Sequence, residues 1–317
     1  MQQIHISVII PTFNRPLYLA EAVQSILNQT CPAMEIIIID NASDPEHNYA
    51  ISRIGDLHPF IRLIRMETNK GPGHARNAGI SQSCGNWLLF MDDDDVLSPD
   101  YIETCMESIR REENAEMVIA RAFCFTKGRP VSYPRDAIGA VNLAWYKDDR
   151  VTAMLINTIT IGSCLVQKTI IDSLRFREDI WHGEDTLFWF IIMQKIKKIA
   201  INNRAFSGVR QHRDQLTRKN NAEGAAILIK ETYVRMMLDS MAEKNSWNAF
   251  TLKIILQRVA DGYWYSMPML RRFMSHPLYG ARMMALLVGK RFYRYRVMLS
   301  YQILKRKPPD FSWLPQS

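Results

Sequence analysis

The first 120 residues alternate short apolar runs with stretches whose apolar positions recur at helical intervals. Ile6-Ser7-Val8-Ile9-Ile10 reads as a buried strand ended by Pro11. Pro16 to Gln29 reads as a helix, with Leu17, Leu19, Ala22, Val23 and Ile26 on its apolar side. Glu35 to Ile39, nearly all isoleucine, predicts a second strand, Ile61 to Met66 a third and Asn86 to Met91 a fourth. Gly73 to Gln82 predicts a helix opened by a glycine-rich turn. Pro99 to Arg111 predicts another, with Pro99 in its first turn and Ser98 as N-cap. Met117 to Ala120 suggests a fifth strand. Continuous apolar strands alternating with helices give an α/β fold, a mostly parallel sheet covered on both faces. Further on, Thr126 to Asp149 is rich in turn residues and predicts a loop, and Arg150 to Gln167 is apolar and β-branched. After Asn221 the pattern is mainly helical through Glu243, and again from Phe250 to Tyr265.

In such a sheet, ligands collect outside the carboxyl ends of the strands. Three polar clusters fall there: Thr12-Phe13-Asn14-Arg15, Asp40-Asn41-Ala42-Ser43-Asp44 and Asp92-Asp93-Asp94-Asp95. Four adjacent carboxylates at a strand end raise one another's pKa values by mutual repulsion. A hard divalent ion that also holds substrate phosphates removes that conflict. The run therefore reads as a Mg²⁺ or Mn²⁺ diphosphate site, with a solvated acidic turn as the other reading.

Composition is ordinary for a folded protein, 47% hydrophobic and 23% charged. Five scattered cysteines, odd in number and without a C-x-x-C pair, argue for reduced thiols in the cytoplasm and against a disulfide framework or a zinc site. The N-terminus has no basic start, apolar middle and cleavage site of a secretory signal. No apolar stretch reaches the roughly 20 residues that span a bilayer. The formal charge is +8, and its distribution is uneven. Residues 251–317 hold 12 Lys and Arg against two Asp, so all the excess positive charge lies at the C-terminal end. There, Leu270 to Met274 and Met283 to Lys307 mix basic residues with aromatic and aliphatic ones. That mixture suits either an interfacial helix on an anionic membrane or a packed helical extension with a solvated basic face.

Four motifs stand in register: Val8-Ile9-Ile10-Pro11-Thr12-Phe13-Asn14-Arg15, Ile38-Ile39-Asp40-Asn41-Ala42-Ser43-Asp44, Asn69-Lys70-Gly71-Pro72-Gly73-His74-Ala75-Arg76-Asn77-Ala78-Gly79, and Phe90-Met91-Asp92-Asp93-Asp94-Asp95. Together they resemble the inverting nucleotide-sugar glycosyltransferases of family 2, with the GT-A fold. The resemblance covers roughly the first 220 residues. It implies a Rossmann-like GT-A domain over 1–220, with a nucleotide-binding half (1–120) and an acceptor half (121–220). A helical, basic region then occupies 221–317.

The resemblance also assigns roles. Asp40 would bind uracil; as a residue it could equally be a turn aspartate. Pro11, Thr12, Asn14 and Arg15 would line the nucleotide pocket, more through backbone than side chain, and Arg15 could instead be a surface charge. Asn69 and Arg76 would lie near the nucleotide and the acidic run, with Arg76 also open to pairing with one of the aspartates. The family pattern D-x-D-D makes Asp94 the metal ligand, with Asp92 facing ribose or sugar, Asp93 in the nucleotide site and Asp95 in support. Trp181-His182-Gly183-Glu184-Asp185 resembles the family's Glu-Asp motif, so Asp185 would be the general base, with Glu184 beside it. Trp181, Phe188 and Trp189 would supply an apolar setting for that base. The bland reading is an acidic pair favoured at a helix N-terminus. Arg210 to Thr217 resembles an Arg-x-His-x-x-Ser stretch in which Gln215 replaces serine. His212 would reach the metal or diphosphate, and Arg210 and Arg213 the phosphate oxygens.

The expectation is an inverting, metal-dependent enzyme that moves a sugar from a UDP-sugar to a hydroxyl of a saccharide acceptor. By resemblance, that acceptor would be polyprenyl-diphosphate-linked, in O-antigen or capsule synthesis, and the enzyme cytoplasmic and peripheral on the inner face of the plasma membrane. No nucleic-acid partner is expected. Two readings from other classes stay open. One is a sugar nucleotidyltransferase, although that class usually has a glycine-rich basic loop where this chain has Pro11-Thr12-Phe13-Asn14. The other is a non-catalytic nucleic-acid or membrane-binding protein that uses the basic C-terminal end.

Overall fold

The computed structural model describes residues 3–131, 159–179, 181 and 183–212. Most of the loop expected over 126–149, the start of the apolar stretch at Arg150, Arg213 and the whole basic helical region lie outside the described residues. The chain divides into two compact units. One comprises 1–150, 157–213 and 310–317; the other, 151–156 and 214–309, lies outside the described residues. Among the described residues, no helix is long and apolar enough to cross a membrane.

The described part is built on a nine-stranded sheet. Its strands are β1 (Ile6–Thr12), β2 (Glu35–Asp40), β3 (Ile61–Arg65), β4 (Trp87–Phe90), β5 (Val96–Leu97), β6 (Met117–Thr126), β7 (Arg129–Val131), β8 (Cys164–Gln167) and β9 (Ile199–Arg210). The order is β3-β2-β1-β4-β8-β6-β9-β5, with β7 paired to β6. The helices are α1 (Pro16–Leu27), α2 (Pro45–Gly55), α3 (Pro72–Gln82), α4 (Tyr101–Arg111), α5 (Lys168–Ile171) and α6 (Glu184–Lys195).

β1, β2, β3 and β4 are mutually parallel, so the expected α/β architecture is present. Because successive side chains point to opposite faces, burial on both faces explains why β1, β2 and β4 are almost continuously apolar, whereas the partly exposed β3 carries Arg62 and Arg65. Val8, Ile10, Ile36 and Ile38 share one core cluster with Leu19, Ala22, Val23 and Ile26 of α1. Ile9 points to the other face, against α3. There Gly79 permits the contact, since a Cβ would stand 2.4 Å from Ile9 Cγ2.

The structure corrects four local expectations. Pro11 does not end β1, which runs on to Thr12. Ile9 C=O accepts from Met91 N on the β4 side, so Pro11, two residues on, turns its missing N–H to the side where β4 has already ended. Leu17 is 82% exposed, because it lies two residues, about 200°, from the stripe that begins at Leu19. The helix expected from Pro99 starts at Tyr101. Ser98 does not cap it, since its Oγ accepts from Phe206 N and its own N–H donates to Phe206 C=O. Finally, β8 and β5 run antiparallel to their neighbours, making the sheet mixed.

Glu35 gives the fold a titratable tie. Its buried carboxylate accepts from Ser7 Oγ (2.6 Å), Cys84 N (2.6 Å) and Arg62 (2.9 Å), binding β1, β2 and the approach to β4. Burial alone would raise this carboxyl, but the three donors outweigh it and hold it below 4.5. A depressed folded pKa contributes stability that is present above the unfolded value and lost as pH falls through the folded one. Glu35→Gln is therefore expected to lose about 1–3 kcal/mol at pH 7, with the deficit shrinking below about pH 4. Urea unfolding at several pH values measures both.

Candidate functional site

The site lies at the carboxyl ends of β1, β2 and β4, where the three polar clusters meet. The loops after β1 and β2 are clasped together. Asn14 N donates to Ser43 Oγ (2.9 Å), Asn14 Nδ2 to Asp44 (2.7 Å), and Asp44 N back to Asn14 Oδ1 (2.8 Å). Asn14 and Ala42 both take left-handed backbone conformations, φ 58° and 62°, a cost that contacts of this kind sustain at binding loops. Asn14 is thus engaged in shaping the rim.

Asp40 is fully buried at the end of β2. Its Oδ1 accepts from Ser43 N (2.9 Å). Its Oδ2 has the Arg65 Nε 3.0 Å away, but off the hydrogen-bonding angle, and accepts no hydrogen bond. A buried carboxylate oxygen with no donor is costly unless a ligand supplies one. Next to it, Asn41 Nδ2 donates to Asn69 Oδ1 (2.8 Å) and to Gly71 C=O (3.2 Å), while its own Oδ1 is also buried without a donor.

Asp92 to Asp95 follow β4. Thr12 Oγ1 donates to Asp93 (2.7 Å), and Arg15 reaches both Asp93 (3.2 Å) and Asp94 (2.8 Å). Thr12 and Arg15 therefore contribute side chains to the acidic run, where the sequence suggested mainly backbone. Pro11 stands in register with Ile39, one position before the Thr12–Asp40 pair. His212 Nε2 lies 2.8 Å from Asp94 Oδ2, joining residues 118 positions apart.

Burial pushes the Asp93 carboxyl up to about 7, and the Asp94 charge adds to this against Arg15 and Thr12. Asp95, buried and beside Asp94 and Asp92, is held well above the usual carboxylate range despite Arg210. Asp92 is raised too, by its recessed position and then by Asp94 and Asp185, against Arg76. Some 41% of its side chain still faces solvent, which moderates the first of these effects.

The facing wall comes from α3 and α6. Arg76, almost wholly buried, donates to Glu184 (2.6 Å) and to Asp92 (2.6 Å). Burial and the charge of Asp185 push the Glu184 carboxyl up to about 7, against the pull of Arg76. Glu184 is thus taken up by Arg76. Asp185 is half-buried, and its Oδ1 accepts from Thr186 N (2.7 Å) in the first turn of α6. Phe188 and Trp189 are buried in the core, with Phe188 stacked on Phe176 (3.8 Å) and both rings edge-on to Phe90. Trp181 is 44% exposed and lies against Gly71, whose φ of 88° favours glycine. A Cβ there would meet the indole at 3.0 Å.

Arg210 is engaged by groups of the protein itself. Its Nε donates to Asp94 C=O (2.9 Å), its N–H to Asp95 Oδ1 (3.1 Å), and its guanidinium pairs with Glu21 and lies over the Tyr18 and Phe125 rings. Tyr18 also packs its ring against that of His212, with centroids 4.7 Å apart. Tyr18 and Glu21 escaped sequence reasoning. Their i, i+3 spacing on α1, off the apolar stripe, is the signal that places them on one face.

Asp92, Asp94 and Asp95 present carboxylate oxygens within 4.8 Å of one another. Hard oxygen donors with an imidazole alongside fit Mg²⁺ or Mn²⁺, and the raised carboxyls mark a cluster short of positive charge. The comparison with known sequences decides the family, because residues 7–174 match the description of glycosyl transferase family 2. The chain belongs to that family. This family 2 glycosyltransferase is 30% identical over 206 residues to an uncharacterized glycosyltransferase of Haemophilus influenzae, covering 65% of this chain and 78% of that one. It is 26% identical over 251 residues to the minor teichoic acid biosynthesis protein GgaA of Bacillus subtilis, covering 74% and 54%. In structure it is similar to S. aureus TarS 1-349 in complex with UDP-GlcNAc, with a TM-score of 0.61 at 18% identity, covering 80% of this chain and 71% of that one. That likeness shows a GT-A-like fold. Matches to the first curated relatives span from 30% to 78% of their length.

Proposed function

We propose that this glycosyltransferase moves a sugar from a UDP-sugar to a hydroxyl of a saccharide acceptor, by a single displacement that inverts the anomeric centre. One juxtaposition carries the reading. Thr12 sits beside Asp40 across the β1–β2 register and binds Asp93, so a buried carboxylate oxygen that is ion-paired with Arg65 but accepts no hydrogen bond adjoins a cluster of metal-type ligands. A nucleoside diphosphate presents both partners: a base N–H for Asp40 and a diphosphate for the acidic run. A ring N–H favours uracil over cytosine, whose corresponding nitrogen is an acceptor, and the TarS neighbour, which carries UDP-GlcNAc, favours UDP over the other nucleotides whose bases also offer a ring N–H.

Asp94 and His212, with Asp92 or Asp95, would hold Mn²⁺ or Mg²⁺. When bound, the ion supplies Lewis-acid stabilisation of the charge on a departing diphosphate. Asp185 takes the proton of the acceptor hydroxyl as its oxygen bonds to the anomeric carbon; the electron pair of the broken C–O bond leaves on UDP. An α-linked donor gives a β-linked product. The GgaA relative supports a cell-surface glycopolymer as the setting, and the basic residues of 251–317 support a lipid-linked acceptor at the cytoplasmic membrane surface.

A panel of UDP-, GDP-, CDP- and dTDP-sugars, each with Mn²⁺ or EDTA, tests this reading. UDP-sugars are expected to bind and release UDP slowly to water only with the metal. Binding of another nucleotide in preference, or release of pyrophosphate, would contradict it.

A further inference from the structure

Among the described residues, one buried contact beside the base has no part in the proposed proton transfer. Arg76 is a buried guanidinium whose two terminal nitrogens hold carboxylates from opposite walls, Asp92 after β4 and Glu184 at the first position of α6. We infer that Arg76 and Glu184 form a strut that positions Asp185, the neighbouring residue, against the donor-side carboxylate Asp92. This rests on the proposed role of Asp185 as base.

The surroundings favour positioning over direct chemistry. Glu184 is 5% exposed and bonded to Arg76, so it is poorly placed to meet a substrate hydroxyl. The segment leading to α6 is fixed to the same helix by the next residue: Asn77 Nδ2 donates to Phe176 C=O (2.9 Å), and Phe176 N donates to Asn77 Oδ1 (2.8 Å). Asn77 also donates to Glu178 (2.9 Å), which lies 2.8 Å from His74. Gly73 brings the two backbones together, since a Cβ there would stand 2.7 Å from Arg177 O. α3 thus anchors the approach through Asn77 and the start of α6 through Arg76. A guanidinium can hold two carboxylates at fixed angles, which a point charge cannot. Catalytic groups displaced by about 1 Å can cost a hundredfold in rate.

The test uses the full chain and the UDP-sugar that turns over fastest, with water as acceptor and Mn²⁺ present. Glu184→Ala is expected to lower kcat about 100-fold, while UDP binding with Mn²⁺, measured by calorimetry, stays within about threefold. Glu184→Gln keeps an oxygen for Arg76 and is expected to retain kcat within a few-fold. In an Asp185→Asn background, Glu184→Ala is expected to have no further effect, because it acts through the residue already removed. Equal losses for Gln and Ala, or a full additional loss in the Asp185→Asn background, would overturn the inference and leave Glu184 acting in its own right. Thermal unfolding checks that each variant folds; where Glu184→Ala does not, Glu184→Gln alone decides. Absence of any UDP binding or turnover in the wild type overturns the functional reading and this inference with it. A normal wild type beside an unimpaired Glu184→Ala overturns only the inference.

Discussion

Asp185→Asn is expected to abolish sugar transfer while leaving donor binding intact. The amide has nearly the size and shape of the carboxylate and can still accept from Thr186 N at the head of α6. It cannot take the acceptor's proton. Loss of a general base costs about 10²- to 10⁴-fold in rate, and kcat should carry the whole loss. Asp185 belongs neither to the Asp40 pocket nor to the three clustered carboxylates and bears on one of them, Asp92, through its charge, so UDP affinity with Mn²⁺ should change less than threefold, about 0.6 kcal/mol. Removing a negative charge from the neighbourhood of Asp92 and Glu184 should if anything ease their crowding. Steady-state UDP release beside calorimetry separates the two quantities. Transfer at the wild-type rate would remove Asp185 from the mechanism.

The second large effect is expected at Asp94. It meets Arg15 at 2.8 Å and His212 at 2.8 Å, and it belongs to the group of three clustered carboxylates. Asp94→Ala removes the shared partner of two cationic or metal-binding side chains. The variant is expected to lose the Mn²⁺ dependence of UDP binding. Transfer should fall about 10²- to 10³-fold, corresponding to roughly 3–4 kcal/mol of Lewis-acid stabilisation. EDTA should bring the wild type to the same level and leave the variant unchanged. A variant that still responded to Mn²⁺ as the wild type does would place the ion elsewhere.

The parts of the fold legible in the sequence are those where one short stretch decides the outcome. β1, β2 and β4 are buried on both faces, so their runs are continuously apolar. β9 gave no such signal, because Asn202-Asn203-Arg204 interrupts it like a turn. In the structure the interruption is a bulge opposite Ala120 and Arg121. Asn202 closes it, accepting from Arg204 N (2.9 Å) and Ala205 N (3.1 Å) while donating to Thr104 Oγ1 (3.0 Å). A side chain that satisfies an irregular backbone looks, in sequence, like an ordinary polar residue.

The site divides the same way. Motifs at strand ends pointed to Asp40 and to Asp92–Asp95 because position in the fold follows from the strand pattern. The pairings did not follow. Arg76 with Glu184 spans 108 residues, and Arg210 with Glu21 spans 189. Nothing local distinguishes an arginine that will meet phosphate from one that will brace a loop. Arg210 braces, gripping the backbone at Asp94 and the side chain of Asp95, and the two aromatic rings at its guanidinium come from α1 and β6.

The most direct test is a crystal structure of the chain with UDP and Mn²⁺, using anomalous scattering to locate the metal. The account predicts uracil N–H on Asp40 Oδ2, the diphosphate beside the acidic run, and a manganese peak within about 2.0–2.3 Å of an Asp94 oxygen. UDP bound away from Asp40, or a manganese peak with no oxygen of Asp92, Asp94 or Asp95 in its coordination sphere, would contradict it.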